Sequence, residues 1–207
     1  MNRYDVVAEG LTIKRLRTRH VGPLDLELAH GECMVITGHS GAGKTLLLRA
    51  ISDLDEHSGE ISLDGVACPQ MSAHEWRSLV GLLPAESQWW CERVGEHFAG
   101  NVDAFLLAEL GLPSEAMEWD VTRCSTGERQ RLALLRLLQQ RPKVLLLDEP
   151  TASLDEINTL RVEAVIERLR QEQGVSVLWV SHDAGQTARV ATRKRTIRDG
   201  RLEGEAV

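Results

Sequence analysis

Short apolar runs alternate with stretches of helical periodicity along most of this chain. Near the start, LTIKRL and DLELAHGE read as strands, the second with Leu24, Leu26 and Leu28 on alternate positions. ECMVITG is a short apolar run ending in glycine, as a buried strand would, and GAGKTLLLRAI follows with helical character and no breaker. SGEISLDG places a strand between two turn signals, and WRSLVGLLP reads as a helix end running into a strand. From roughly 86 to 124 the pattern changes to short helical pieces broken at Gly100, Gly111 and Pro113, as expected of a lobe inserted into the main fold. Beyond it come a helix (Gly127 to Gln140), a buried strand (VLLLD) and a long amphipathic helix (Ile157 to Gln173). A second buried strand (VSVLWVS) and a terminal hairpin (KRTIRDGRLEGE) complete the pattern. Strands alternating with helices, two of the strands wholly apolar, predict an α/β fold with a mainly parallel core sheet covered on both faces. No repeat, low-complexity tract or linker marks a second unit, so residues 1–207 are expected to form a single domain.

Chemistry enters at Gly38-His39-Ser40-Gly41-Ala42-Gly43-Lys44-Thr45, which fits GxxxxGK(S/T) between a strand and a helix. Glycines let the backbone curl around a phosphate with its amide hydrogens inward, and the helix that follows adds its positive end. Lys44 is then expected to reach the β- and γ-phosphates, and the Thr45 hydroxyl to ligate Mg²⁺. A second signal is Val144 to Glu149, a hydrophobic strand ending in two carboxylates. A parallel strand delivers its last residues to the crevice where ligands sit. Asp148 is placed to hold the magnesium and Glu149 to polarise the water that attacks the γ-phosphate.

Several phosphate-loop NTPase families share those features. Ser125-Thr126-Gly127-Glu128-Arg129-Gln130-Arg131, shortly before the acid pair, resembles the LSGGQ signature of ATP-binding cassette ATPases. Cys124 stands there in the Leu position, Thr126 for the first Gly and Glu128 for the Gln. Locally, Ser125 and Glu128 also spell a capping box that opens the following helix. Ser153-Leu154-Asp155 stands where the family's D-loop belongs, and His182 follows the strand VLWVS as the switch histidine does. The resemblance covers essentially the whole chain, and it implies an N-terminal antiparallel β part and a small inserted helical lobe. It also implies that two copies pack head to tail, each ATP lying between Lys44 and Glu149 of one chain and Ser125 and Gly127 of the other. Thr126 and Asp155 would stand beside that second face, and His182 would join Lys44 and Glu149 in catalysis.

Three places depart from the family or leave alternatives open. Ala85 stands where members usually carry a Gln that touches the magnesium, and Glu86 and Gln88 are the nearest substitutes. Slower or differently coupled hydrolysis is the expectation. No aromatic residue lies between Lys14 and His20 to stack on adenine, Tyr4 being too early; Arg15, Arg17 or His20 could serve. Trp89-Trp90 reads either as packing within the lobe or as a docking surface for a membrane partner.

Composition narrows the class of partner. Against 24 Lys and Arg stand 31 Asp and Glu, a formal charge of −7, so no nucleic-acid partner is expected. The basic run KRLRTRH reads as a solvated strand edge. Cys33, Cys68, Cys91 and Cys124 lack metal-site spacing and suit a reducing compartment. No apolar run approaches the ~18 residues of a membrane helix, so a cytoplasmic chain is expected, held at the inner face of the membrane by a separate permease. The first functional hypothesis is thus the ATP-hydrolysing subunit of a transporter. PKVLLLDEPTASLDE and VLWVSHD also look like cassette subunits of metal (iron) exporters. A soluble cassette ATPase in assembly or repair, and a slow-hydrolysing nucleotide-binding scaffold, are the alternatives.

Overall fold

A computed structural model describes residues 10–204; Tyr4 lies outside them. Two sheets share the chain. The first is antiparallel, in the order β2-β1-β4-β5, and is built from β1 (Leu11–Arg17), β2 (Leu24–Leu28), β4 (Ser58–Leu63) and β5 (Val66–Ala67). The second runs β10-β9-β3-β8-β7-β6, from β3 (Cys33–Thr37), β6 (Val80–Leu83), β7 (Val144–Asp148), β8 (Ser176–Val180), β9 (Arg193–Arg198) and β10 (Arg201–Glu203). Every pairing in it is parallel except the β9–β10 hairpin.

The apolar runs explain this sheet. All five residues of β7 and of β8 are buried, because both faces of these strands are covered. On one face, α1 (Lys44–Ile51) and Trp76 of α2 (Ala73–Leu79) join the apolar side of the antiparallel sheet in one core. On the other, α4 (Thr126–Leu138) and α5 (Glu156–Gln173) pack with the inserted lobe in a second core. Trp76 is fully buried and its indole N–H donates to Ile51 O at 2.8 Å, so the large ring leaves no polar atom unpaired.

The lobe holds less α-helix than its sequence suggests. Only α3 (Ala104–Glu109), capped by Asp103, is α-helical; Val94–His97, Ser114–Glu118 and Val121–Arg123 are 3₁₀ turns. The breaks at Gly100, Gly111 and Pro113 keep every piece short, and only the piece whose first amides are capped by a side chain, that of Asp103, closes α-helical turns. A short helix, α6 (Ala184–Val190), also lies where none was expected. Among the described residues no helix is long and apolar enough to cross a membrane.

Candidate active site

The strand order β3-β8-β7-β6 puts four carboxyl ends side by side on one edge of the sheet. From that edge leave the phosphate loop after β3, His182 after β8, the acid pair at β7 and Ala85 after β6. Ligands of open parallel sheets bind at such an edge.

In the phosphate loop, Gly43 has φ +97°, and a Cβ there would lie 2.1 Å from Val21 Cγ2. A Cβ on Gly38 would lie 2.6 Å from Ile197 O. Bare backbone at these points lets the loop close against its neighbours. No side chain caps α1, so none competes with an anion for its first amide hydrogens. Lys44 is 7% exposed, its Nζ donating to Gly38 O at 2.9 Å and His39 O at 3.0 Å, which aims the ammonium into the curl. His39, Ser40 and Gly41 are exposed on its rim, and Ala42 is buried beneath.

The Thr45 hydroxyl donates to Asp148 Oδ2 at 2.7 Å. Asp148 is 4% exposed, and burial pushes its carboxyl above the usual carboxylate range. The Thr45 hydrogen bond and nearby Lys44 pull the other way, while Glu149 adds to the rise. Hydroxyl and carboxylate oxygens are the hard ligands magnesium takes, with phosphate oxygens and water filling the rest, so the pair fits that ion. Among the described residues no three His, Cys, Asp or Glu converge as a metal cage, and a magnesium–nucleotide site does not use one.

Glu149 has φ +49°, a left-handed conformation that costs a non-glycine residue about 1–2 kcal/mol. Its amide donates to Val180 O at 3.1 Å, which ties this turn to β8. Oε1 of Glu149 lies 3.1 Å from Nε2 of His182, and both side chains line a cavity of about 490 Å³. Behind them runs a buried polar network that sequence reasoning missed. Gln186 bonds Ser181, Thr151 and Glu163, and Arg189 holds Glu163 through two hydrogen bonds. A signal was there: Asp183 stands three residues before Gln186 and caps α6 by accepting from its amide at 2.9 Å.

Ser125 caps α4, its hydroxyl accepting from Glu128 N at 3.2 Å, while Glu128 Oε2 accepts from Ser125 N at 2.8 Å. The bond from the Ser125 amide, with a smaller part from the Ser125 side chain, holds the Glu128 carboxyl below its usual range. Ser125 and Thr126 are exposed, and no hydrogen bond among the described residues joins them to the phosphate loop of the same chain. A Cβ on Gly127 would lie 3.1 Å from Ser153 O and 3.0 Å from Leu154 Cδ2, so the capped turn rests on the segment before Asp155. Asp155 caps α5, accepting from Asn158 N at 2.8 Å.

The family model described as ABC transporter matches residues 21–152. The aliphatic sulfonates import ATP-binding protein SsuB of Pseudomonas entomophila is 38% identical over 184 residues, 86% of this chain and 67% of that protein. The protein of that name from Ralstonia nicotianae is 37% identical over 205 residues, 94% of this chain and 70% of its own. This chain belongs to the ABC transporter family. It is an ATP-binding cassette that hydrolyses ATP with magnesium. In fold, it matches a dimeric cassette in a post-hydrolysis state bound to ADP and Pi, with a TM-score of 0.81 and 22% identity. That match covers 95% of this chain and 98% of the other.

The departures of this cassette now have positions. Ala85 is exposed at the head of its loop, which Gln130 anchors by donating to Pro84 O at 3.0 Å and accepting from Ser87 Oγ at 2.6 Å. Glu86 and Gln88 follow as exposed residues, and the Gln88 carbonyl accepts from Arg136 Nη2 at 3.1 Å. Beside Leu46, one residue past Thr45, a cavity of about 640 Å³ is lined by Arg17, Thr18, Arg19 and His57. Arg17 therefore shares a cavity with the helix that follows the phosphate loop. Arg15 lines a different cleft, with Lys14, Arg193 and Arg195. His57 is a further flat ring there, brought in from a loop about forty residues on and invisible to a search of the first strands.

Trp89 and Trp90 differ in burial. Trp89 packs against the lobe core, and Trp90 is 70% exposed. Arg136 lies over both rings, at 4.6 and 4.8 Å, and His97 meets both edge-on at 4.7 Å.

Proposed function

We propose that this chain is the ATP-hydrolysing subunit of a membrane importer, and that two copies close head to tail around two ATP molecules. The observation that carries the proposal is a division of labour within one chain. Lys44, Thr45, Asp148, Glu149 and His182 gather at one sheet edge, whereas exposed Ser125 and half-buried Gly127 form a capped helix start with no hydrogen bond to the phosphate loop among the described residues. Such a turn offers a hydroxyl and amide hydrogens to an anion, and a second copy supplies one in the terminal phosphate of its ATP.

Within that closed site each residue has a distinct part. Gly38 to Gly43 wrap the phosphates with backbone amides, and Lys44 places its charge on the β- and γ-oxygens. Thr45 and Asp148 hold magnesium, which neutralises charge on the phosphates. Glu149 accepts a proton from the attacking water, and His182 orients Glu149 and the γ-phosphate. Thr126 and Asp155 of the second copy flank the Ser125 contact. Residues 1–207 act as one cassette domain, peripheral on the inner face of the membrane through a permease.

Uptake of a small organic anion such as an aliphatic sulfonate is supported by the names of the relatives, which are importers. They give no support to the metal-export likeness of the acid-pair and His182 stretches. Light scattering on Glu149→Gln with Mg-ATP tests the closure: a dimer is expected, and a chain that stays monomeric at high concentration, alone and beside its permease, overturns it. Sulfonate-stimulated turnover in proteoliposomes, with the permease and its binding protein present, tests the substrate.

A further inference from the structure

We propose that Gln186 is a positioning residue, a buried clamp that holds the loop carrying His182 against the loop carrying Glu149. The inference rests on the roles proposed for those two residues. Gln186 is 3% exposed. Its Oε1 accepts from Ser181 Oγ at 2.9 Å, and its Nε2 donates to Thr151 Oγ1 at 2.9 Å and Glu163 Oε1 at 3.0 Å. Ser181 directly precedes His182, and its hydroxyl also accepts from Asp183 N at 3.1 Å. Thr151 lies two residues beyond Glu149. One amide thus ties the ends of β8 and β7 together just behind the 3.1 Å contact of Glu149 with His182. Glu163 fixes the clamp to α5, and Arg189 compensates its charge, Nε to Oε2 at 2.8 Å and Nη2 to Oε1 at 2.7 Å.

The chemistry of the position selects an amide. It must accept from one hydroxyl while donating to a second hydroxyl and to a carboxylate. Asparagine is one methylene short. An ionised glutamate can only accept, and it would face Glu163. Without the clamp the two loops are free to drift, and a misplacement near 1 Å costs about 10²-fold in rate.

The test compares Gln186→Ala, Gln186→Glu, Thr151→Val and the Gln186→Ala/Thr151→Val pair with the native chain, Glu149→Gln serving as control. For Gln186→Ala, kcat is expected to fall about 10–100-fold. KM for ATP should stay within about twofold, because Lys44 is held within the phosphate loop by Gly38 O and His39 O, and Asp148, which accepts from Thr45, is fixed by the ladder of β7 rather than by the clamp. For Gln186→Glu, the ratio of its kcat to the native value should rise as pH falls from about 8 to 6, since only the protonated carboxyl donates. Glu163, Arg189, Asp183, Glu149 and His182 face this position in both proteins and largely cancel in that ratio. Thr151→Val should lower kcat too, and the pair should cost no more than Gln186→Ala alone. Thr151 is half-buried, so its variant keeps the idea testable where Gln186→Ala fails to fold. A flat pH ratio, or a native kcat in Gln186→Ala or Thr151→Val, overturns the clamp. If Glu149→Gln retains full turnover, the role given to Glu149 is what fails.

Discussion

Thr45 and Asp148 lie 103 residues apart in the chain, yet their side chains meet at 2.7 Å, hydroxyl donating to carboxylate. That contact joins the loop that cradles phosphate to the strand end that carries the acid pair.

It also carries a linkage to pH. Burial raises the Asp148 carboxyl in the folded chain. A raised acid contributes stability that is fully present below the unfolded value, near 3.8, and is lost as pH rises through the folded value. The nucleotide-free protein should therefore gain Tm on mild acidification, and Asp148→Asn should flatten that part of the profile. The Asn variant should also melt higher at neutral pH, by roughly 2–4 °C for each kcal/mol relieved, while losing magnesium-dependent turnover. Calorimetry with and without Mg-ATP checks both.

Ala85 offers a gain rather than a loss. Its loop is already anchored by Gln130 and the position is exposed, so a longer side chain meets no core. Ala85→Gln should raise the hydrolysis rate or its dependence on the permease, with little change in Tm. An unchanged rate under both conditions would count against any role for this position.

Gly43→Ala should be costly for two separable reasons. A φ of +97° strains any L side chain by about 1–2 kcal/mol, and the added methyl strikes Val21 Cγ2. Val21→Ala in the same chain removes the struck atom, so it should recover part of the lost Tm but not the part due to φ. Urea titration of the single and double variants separates the two.

Ser125→Ala removes a helix cap, which costs on the order of 1 kcal/mol. If the hydroxyl also reaches ATP across a dimer, turnover should fall well beyond that, on the order of 10-fold or more. A steady-state assay at a temperature where the variant is fully folded distinguishes the cap from the contact.

Much of this was legible in the residues themselves. The phosphate loop, the acid pair and the capping box are each encoded within a few positions, because each depends on backbone conformation and near neighbours. The parallel sheet was legible too, since strands covered on both faces carry unbroken apolar runs, as Val144–Leu147 of β7 and Val177–Val180 of β8 do. The helical content of the lobe was overread: apolar spacing persists there, but outside the piece capped by Asp103 no side chain caps a helix start and the short pieces close only 3₁₀ turns.

What tertiary structure alone decided is which distant groups share a volume. The sequence placed His182 by its order after a strand, and only the pairing of β7 beside β8 brings its ring to 3.1 Å from Glu149. The same holds for Gln186 between two loops, His57 beside Arg17, and Arg136 over two tryptophans. Local motifs are written by dihedral preference and periodicity, which act within a turn or two. Side chains far apart in the chain meet only once the sheet order is set by burial of the whole core, and no short window of residues contains that information.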